Sequence, residues 1–337
     1  MRRNEPMRCP TLLELPQPPA GRTGWPWTEE TPQAPPTMPD GQTWPRFCIV
    51  TPSLNQGEFI EETIRSVLLQ GCPNLEYIVI DGGSTDNSVE IIKNYEPWLT
   101  HWVSEPDRGQ AYAINKGFRK SSGDILGWLN SDDRFLPGSL IKVATVVHEH
   151  PSVGAFVGGA YHRLSWTRDI PECRPKGLSF DDLIDWPSSH FCQPSCFFRR
   201  SAWESCGPLD EDLYIAFDLD LWLRMSQRYR FMPIAVVLSS PLAHPHAKTR
   251  ARTFLMNVET GILQMRYGRQ DLALKTLMPL ADKCDALYPL PSGLYVERYS
   301  QLYHLLMWLK HIPIFGSLLK LLAKAWRERS ASFANPA

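Results

Sequence analysis

The stretch Ile125-Leu126-Gly127-Trp128-Leu129-Asn130-Ser131-Asp132-Asp133 runs an apolar segment directly into a polar turn that ends in two adjacent carboxylates. A short apolar run bounded by turn residues is typical of a buried strand. Mg²⁺ and Mn²⁺ prefer oxygen ligands and usually take only a few of them from the protein. Taken alone, however, a solvated acidic turn is the simpler interpretation of Asp132 and Asp133. The neighbouring segments decide between the two.

Short apolar runs alternate with helix-like segments on either side of this stretch. The predicted strands are Phe47 to Val50, Tyr77 to Ile80, Trp102 to Ser104 and Ile125 to Leu129. The predicted helices between them are Phe59 to Leu69, Ser88 to Asn94 and Ala111 to Arg119. This alternation predicts an α/β fold whose central sheet is mostly parallel and flanked by helices.

Polar residues follow every one of these predicted strands. They are Thr51 to Asn55, Asp81 to Ser84, Glu105 to Gln110 and Asn130 to Asp133. In open α/β sheets, ligands bind outside the carboxyl ends of the strands. The sequence therefore predicts one ligand crevice lined by four strand ends.

Two of these segments allow more than one interpretation. In Asp81-Gly82-Gly83-Ser84, the glycines permit close approach of a ligand and Asp81 is able to accept a hydrogen bond from a base or ribose. The same turn also fits an ordinary connection from a strand to a capped helix. It lacks the GxGxxG pattern of dinucleotide-binding folds. Arg108 and Lys116 suit a diphosphate or a base edge, although helix lysines commonly face solvent.

Later segments add a candidate base and two histidines. On a helix, Asp218 and Asp220 point about 200° apart, so at most one of them faces a given site while the other caps the helix or pairs with a cation. A carboxylate at the edge of an apolar helix face suits a general base. The alternative to a catalytic role is a helix N-terminus that simply carries acidic residues. His244 and His246 suit a metal or phosphate, or are surface residues.

The two ends of the chain differ from its centre. Residues 1–46 hold 11 of the 30 prolines, which predicts an extended proline-rich leader (1–45) outside the core, partly docked through its tryptophans. We expect a catalytic domain at 46–250 and a helical extension at 251–337. The basic amphipathic segment Leu318 to Arg327 either rests on an anionic membrane surface or packs on the catalytic domain.

Composition excludes several classes of protein. Lys+Arg (35) nearly balance Asp+Glu (36), so we expect no nucleic-acid partner. No stretch approaches the ~18 apolar residues of a spanning helix, and no apolar segment follows the basic N-terminus as in a signal peptide. The eight cysteines form no CxxC pair, which predicts no cysteine metal cluster and a reduced, cytoplasmic setting.

Residues 46 to 250 resemble the family-2 glycosyltransferases, which have the GT-A fold. The resemblance rests on the order of Phe47 to Gln56, Tyr77 to Asp86, Asp107 to Gly117, Leu129 to Asp133, Gln193 to Arg200 and Phe217 to Trp222. It implies a nucleotide-sugar donor held by Thr51, Pro52, Asn55, Asp81, Gly83, Ser84, Arg108, Gln110, Asn115, Lys116, Asn130 and Ser131, with Asp81 on the base.

The same resemblance implies a Mg²⁺ or Mn²⁺ cofactor on Asp132, with Asp133 and His246 assisting, and Asp218 as catalytic base. The chain departs from the family pattern in three places. Asn130 replaces the first acid of Asp-x-Asp, Phe217 replaces the acid before the base, and His244 competes with His246 for the late histidine.

The implied activity is inverting transfer of a sugar from a nucleoside-diphosphate donor, best matched by a UDP-sugar, to a hydroxyl of a glycan or lipid-linked acceptor. The resemblance therefore implies a role in polysaccharide or glycolipid assembly. It places the enzyme in the cytoplasm or peripherally on the cytoplasmic face of the membrane. An inactive nucleotide-sugar binder is the main alternative. A sugar nucleotidyltransferase is a third, but Thr51 to Gly57 lacks the glycine-rich basic loop of that class.

Overall fold

The computed structural model describes residues 8–165, 168–244, 247–248 and 253–287. The chain divides into two compact units. The first comprises residues 1–183 and 188–251, and the second comprises residues 184–187 and 252–337.

Nine strands of the described residues form one sheet in the first unit. They are β1 (Phe47–Ser53), β2 (Leu75–Asp81), β3 (His101–Ser104), β4 (Ile125–Trp128), β5 (Arg134–Phe135), β6 (Ala155–Ser165), β7 (Arg168–Cys173), β8 (Cys196–Arg199) and β9 (Phe231–Ser240). The order is β3-β2-β1-β4-β8-β6-β9-β5, with β7 paired to β6. The α/β fold predicted from the sequence is confirmed.

Helices connect the first strands and explain their direction. The connecting helices are α1 (Ile60–Leu68), α2 (Ser88–Asn94) and α3 (Gln110–Lys120). Later in the chain come α4 (Ser139–Glu149), α5 (Phe180–Ile184), α6 (Trp186–Ser189), α7 (Arg200–Cys206) and α8 (Phe217–Ser226). Because helical crossovers return the chain to the same edge, β1, β2, β3 and β4 pair in parallel. The second half of the sheet is mixed, since β8 runs antiparallel to β4 and β6 while β9 is parallel to β6.

The centre of the sheet is covered on both faces. Every residue of β1 and β2 is buried, as expected for strands between two helical layers. Trp222 of α8 stacks on Trp128 of β4, with ring centroids 5.5 Å apart and planes inclined by 13°. This stacking fixes the helix that carries Asp218 against the strand that leads into the acidic turn.

The proline-rich leader belongs to the core of the first unit. Cys9, Leu15, Met38 and Trp44 are buried with side chains of α1, β1 and β2 in one hydrophobic cluster. The prediction of a leader outside the core is therefore wrong for these residues. Of the leader tryptophans, Trp27 and Trp44 are buried and Trp25 is partly buried. Proline prevents regular hydrogen bonding but not burial, because other groups satisfy the carbonyls.

Arg65 is the main group that satisfies those carbonyls. It is completely buried in α1 and donates hydrogen bonds to the carbonyl oxygens of Pro16 (2.8 Å), Pro26 (3.1 Å) and Trp27 (3.1 Å). A buried guanidinium with five donors in a fixed fork suits three converging carbonyls. One side chain thus holds two separate parts of the leader.

The second unit contains α9 (Thr253–Arg266) and α10 (Gln270–Leu287) among its described residues. The two helices pack closely at Gly261, where an added Cβ would lie 2.8 Å from the Leu277 side chain. None of the described helices combines the length and apolar character needed to cross a lipid bilayer. The part of the predicted helical extension beyond residue 287, including the segment Leu318 to Arg327 and the membrane contact expected of it, lies outside the described residues.

Candidate active site

The loops after β1 and β2 are tied together at the carboxyl edge of the sheet. Asn55 has a left-handed backbone (φ +52°), which asparagine tolerates better than most residues. Its backbone N–H donates to Ser84 Oγ (2.7 Å), and its Oδ1 accepts from the backbone N–H of Thr85 (2.8 Å). Asn55 and Ser84 therefore shape the crevice wall.

Asp81 lies at the end of β2 and is fully buried. Its Oδ2 accepts from Ser104 Oγ (2.6 Å), Ser84 N (2.8 Å) and Gly83 N (3.1 Å), while Oδ1 accepts from Ser84 Oγ (2.5 Å). Four bonds hold this carboxylate to its own turn and to β3. Base contact by Asp81 stays a prediction, and the described role of this residue is to hold the turn.

Thr51, Pro52 and Gly83 lie at the carboxyl ends of β1 and β2. Thr51 is buried, and its Oγ1 lies 3.0 Å from the Tyr77 hydroxyl. Pro52 is the sixth residue of β1 and is also buried. Gly83 has φ +87°, and a Cβ at this position would lie 3.2 Å from Pro106 N. A larger residue would strain the turn and press on the next loop.

A carboxylate that the sequence did not single out reaches over the β2 turn. Asp107 Oδ2 lies 3.1 Å from the position that a Cβ of Gly82 would occupy. Asp107 Oδ1 accepts from the backbone N–H of Gly109 (2.8 Å). The space left by Gly82 thus contains the half-buried carboxylate of the following loop.

The acidic turn after β4 is organised by Asp133. This side chain is buried, its Oδ1 accepts from the backbone N–H of Leu242 (3.0 Å), and its Oδ2 accepts from Asn130 Nδ2 (3.2 Å). Ser131, between them, is also buried. Asp133 therefore connects the turn to the chain leaving β9.

That connection brings His244 to Asp132. His244 Nε2 lies 3.0 Å from Asp132 Oδ2, and the two side chains are 10% and 20% exposed. The ring of His244 also contacts Phe59, with centroids 4.7 Å apart. The sequence preferred His246, which lies outside the described residues; His244, the competing histidine, is the one described beside the acidic turn.

Gln110 links this turn to a lysine that the sequence did not single out. Gln110 Nε2 donates to Asn130 Oδ1 (2.7 Å), and Gln110 Oε1 accepts from Lys248 Nζ (3.2 Å). Lys248 Nζ lies 4.0 Å from the ring centroid of Tyr214 and 5.6 Å from that of Phe217. The only sequence signal for Lys248 was its place four residues after His244, in the same loop.

Two predicted donor-binding cations, Arg108 and Lys116, form ion pairs with acidic side chains of the protein. Arg108 Nη2 lies 2.8 Å from Glu211 Oε2, and its side chain is 74% exposed, so the ion pair is weak and open to exchange. Lys116 pairs with Glu105, whose carboxyl pKa this hydrogen bond lowers. Lys116 is the better shielded of the two cations.

Asn115 is fully buried in α3. Its Nδ2 donates to Leu209 O (2.9 Å) and Glu211 Oε1 (3.1 Å), and its Oδ1 accepts from Leu209 N (2.9 Å). Both amide hydrogens are therefore used to hold the loop before α8. Its predicted contact with the donor stays a prediction.

Asp218 and Asp220 have separate environments, as the helical spacing predicted. Asp220 is buried and forms an ion pair with Arg224, whose nitrogen atoms lie 2.7 to 2.8 Å from Asp220 Oδ2. Asp218, in the first turn of α8, is partly exposed, and its Oδ1 accepts from Leu219 N (2.7 Å). Arg224 therefore holds Asp220 within the helix, and Asp218 is the more exposed of the two carboxylates.

Asp132 and His244 fit a divalent cation. They offer one carboxylate oxygen and one imidazole nitrogen at the separation of two ligands that share an ion, and neither is fully buried. Carboxylates suit Mg²⁺ and Mn²⁺, whereas imidazole favours the later transition metals, so this pair suits Mn²⁺ better than Mg²⁺. Asp133 and Asn130 lie behind the pair and orient it.

Comparison with known proteins identifies the family. Residues 48–207 match the model of Glycosyl transferase family 2. An uncharacterized glycosyltransferase of Mycobacterium tuberculosis is 41% identical over 186 residues, which is 53% of this chain and 68% of the relative. The chain belongs to glycosyltransferase family 2. TuaG of Bacillus subtilis, named for teichuronic acid biosynthesis, is 32% identical over 144 residues, 42% of this chain and 57% of TuaG.

Solved structures agree with the fold. Residues 1–349 of Staphylococcus aureus TarS in complex with UDP share 18% identity at a TM-score of 0.51, covering 69% of this chain and 70% of that one. The mannosyltransferase PcManGT of Pyrobaculum calidifontis, in complex with GDP-Man and Mn²⁺, shares 20% identity at a TM-score of 0.52 and covers 90% of both chains. The fold of this family-2 chain is the GT-A type that the sequence predicted.

Proposed function

We propose that this family-2 glycosyltransferase is an inverting enzyme that moves a sugar from a nucleoside-diphosphate donor to a hydroxyl acceptor. The observation that carries the proposal is the convergence of the β4 turn, the loop after β9 and α3 through three contacts. These are Asp132 to His244 and Gln110 to both Asn130 and Lys248. They place a carboxylate, an imidazole, an amide and a cation at one strand edge.

Lys248 and Asp132 both hold the donor diphosphate, each by a different kind of contact. Lys248, a compact cation, is placed by Gln110 and by the rings of Tyr214 and Phe217 to neutralise phosphate oxygens. Asp132 and His244 would hold Mn²⁺, or less readily Mg²⁺. When bound there, such an ion supplies a Lewis acid for the negative charge of the leaving diphosphate.

Asp107 is the better candidate than Asp81 for the nucleobase. Asp81 already accepts four hydrogen bonds, whereas Asp107 Oδ2 lies over Gly82 at the crevice rim. In nucleotides, uracil and guanine each have a ring N–H that donates a hydrogen bond to a carboxylate. Adenine and cytosine have no such ring N–H. UDP-bound TarS and the GDP-Man complex of PcManGT are compatible with either base. We keep a UDP-sugar as the first choice of donor.

Asp218 acts as the base in the proposed mechanism. It accepts the proton of the acceptor hydroxyl while that oxygen attacks the anomeric carbon from the face opposite the diphosphate, and the bond from carbon to diphosphate breaks. Lys248 stabilises the charge that develops on the diphosphate. A single displacement of this kind inverts the anomeric centre.

The acceptor belongs to a polysaccharide or glycolipid under assembly. Support comes from TuaG, whose name places it in teichuronic acid biosynthesis. Peripheral contact with a membrane through residues 318–327, where a lipid-linked acceptor would be found, remains a prediction from the sequence.

A donor screen tests the proposal. The purified full chain is incubated with UDP-, GDP-, ADP- and CDP-sugars, with Mn²⁺ or Mg²⁺, and release of the nucleoside diphosphate is measured. We expect release from a UDP- or GDP-sugar, faster with Mn²⁺. If no donor is turned over with or without lipid-linked acceptors but one binds tightly, the chain is an inactive nucleotide-sugar binder.

A further inference from the structure

Two cysteines and a histidine come together outside the donor crevice. The ligand atoms of His162, Cys173 and Cys192 all lie within 4.8 Å of one another. His162 and Cys173 lie on the antiparallel strands β6 and β7, where Ala160 pairs with Cys173. Cys192 immediately precedes the 3-10 turn Gln193–Ser195. His162 and Cys192, which are 30 residues apart in sequence, thus meet at the rim of the sheet.

The spacing of these atoms suits a tetrahedral metal ion. Cys192 Sγ lies 3.4 Å from His162 Nε2. With Zn–S near 2.3 Å and Zn–N near 2.0 Å, a sulfur and a nitrogen on one tetrahedral Zn²⁺ are about 3.5 Å apart. The seven cysteines whose side chains the structure describes are all free thiols, so both sulfurs are available.

A second histidine lies beside this three-residue group. The side chain of His190, two residues before Cys192, hydrogen-bonds the Cys173 thiol, as do those of His162 and Cys192. His190 is exposed and Cys192 is buried, so the group spans the surface and the interior and has a route for ion entry.

We propose that His162, Cys173, His190 and Cys192 form a structural Zn²⁺ site. A tetrahedral set of two sulfurs and two nitrogens selects Zn²⁺ over the hard ions that suit the Asp132 carboxylate. The site was not evident in the sequence because its two cysteines are far apart in the chain. Cys173 lies on a strand of the β6–β7 hairpin and Cys192 on a distant loop, so they form no CxxC pair. The prediction of no cysteine metal cluster is replaced by this proposal.

The site has a clear structural consequence. Zn²⁺ joins the β6–β7 hairpin to the segment that begins the 3-10 turn. Gln193, the first residue of that turn, donates from Nε2 to Trp128 O (2.9 Å), at the end of β4 and next to the acidic turn. Zinc would therefore stabilise the wall between the hairpin and the donor crevice without touching the donor.

Metal analysis tests the site. The full chain, prepared with reduced thiols, is equilibrated with Zn²⁺ and a competing chelator, and bound zinc is counted per chain. We expect about one tightly bound Zn²⁺ per chain in the unaltered protein and in Asp132→Ala, and a loss of at least tenfold in affinity in the double variant Cys173→Ser/Cys192→Ser. Cys206→Ser, which alters a partly exposed cysteine elsewhere, is the matched control and keeps its zinc.

A second measurement needs no variant. Co²⁺ replaces Zn²⁺ in the unaltered chain, and the expected spectrum has thiolate-to-cobalt charge-transfer bands with the strong visible absorption of tetrahedral Co²⁺. No tight zinc in the unaltered chain, equal zinc in the double variant, or a cobalt spectrum without thiolate bands overturns the proposal. So does a Cys173–Cys192 disulfide whose reduction fails to restore zinc binding.

Discussion

His244 Nε2 lies 3.0 Å from Asp132 Oδ2, although the two residues are 112 positions apart in the chain. The contact depends on Asp133, whose carboxylate accepts the backbone N–H of Leu242 and so fixes the loop that carries His244. The two adjacent carboxylates therefore have different roles. Asp133 positions the loop, and Asp132 faces the histidine and the crevice.

Removal of His244 is expected to weaken metal-dependent donor binding. His244→Ala should raise the Mn²⁺ concentration for half-maximal activity by about 10- to 100-fold, since one ligand or its orienting partner is lost. Activity is measured against Mn²⁺ concentration. His148→Ala, which removes a surface histidine paired with Asp40, should leave the curve unchanged. Equal Mn²⁺ dependence in both variants would rule out a metal role for His244.

Substitution of Lys248 is expected to affect the donor diphosphate. Lys248→Met should reduce kcat/KM for the donor about 100-fold, because one charge-assisted contact to the leaving group is lost. Lys248→Arg should recover part of the activity. The exposed Lys142 provides the control, and Lys142→Met should match the unaltered enzyme. An unchanged kcat/KM in Lys248→Met contradicts the proposed role.

Asp107 is expected to set base selectivity. Asp107→Asn replaces an acceptor by an amide that also donates, so affinity for the preferred UDP or GDP should fall about tenfold, while the weak binding of ADP or CDP should not fall. Binding of the four diphosphates by calorimetry measures this change. Glu90→Gln, an exposed acid on α2, is the control. A uniform loss across all four bases would indicate a general structural effect instead.

Arg65 is expected to hold the leader in place. Arg65→Met removes the donors to Pro16, Pro26 and Trp27 carbonyls, and should lower the free energy of unfolding by about 3 kcal/mol. Urea unfolding measures the loss, and limited proteolysis should then cut within residues 8–45. Arg65→Lys, which keeps the charge but not the planar fork, should recover little of the stability. Full stability of Arg65→Met would contradict this role.

The central fold was predictable because its pattern is local. Strands and helices between Phe47 and Trp128 alternate with clear periods, and the predicted helix Ser88 to Asn94 has the bounds that the structure gives it. The different surroundings of Asp218 and Asp220 also followed from helical geometry, whereas the choice of Asp218 as base came from the family resemblance and stays a prediction. Where a residue's neighbours are in its own element, the sequence carries enough information.

Contacts between distant segments were not predictable from the sequence. His244, Lys248 and Asp107 reach the crevice through loops whose course depends on the packed sheet. The leader has no secondary-structure period, so nothing local indicated that Arg65 would satisfy its carbonyls. The two cysteines near His162 meet only because β6 and β7 form a hairpin opposite the Cys192 loop.

The proposed base is tested most directly by comparing donor binding and turnover in Asp218→Asn. We predict that this variant binds the UDP- or GDP-sugar with nearly unchanged affinity and loses turnover by about 100- to 10,000-fold. Asp212→Asn, an exposed acid in the preceding loop, should keep both properties. Turnover by Asp218→Asn within a few-fold of the unaltered enzyme, with donor bound, would contradict Asp218 as the base.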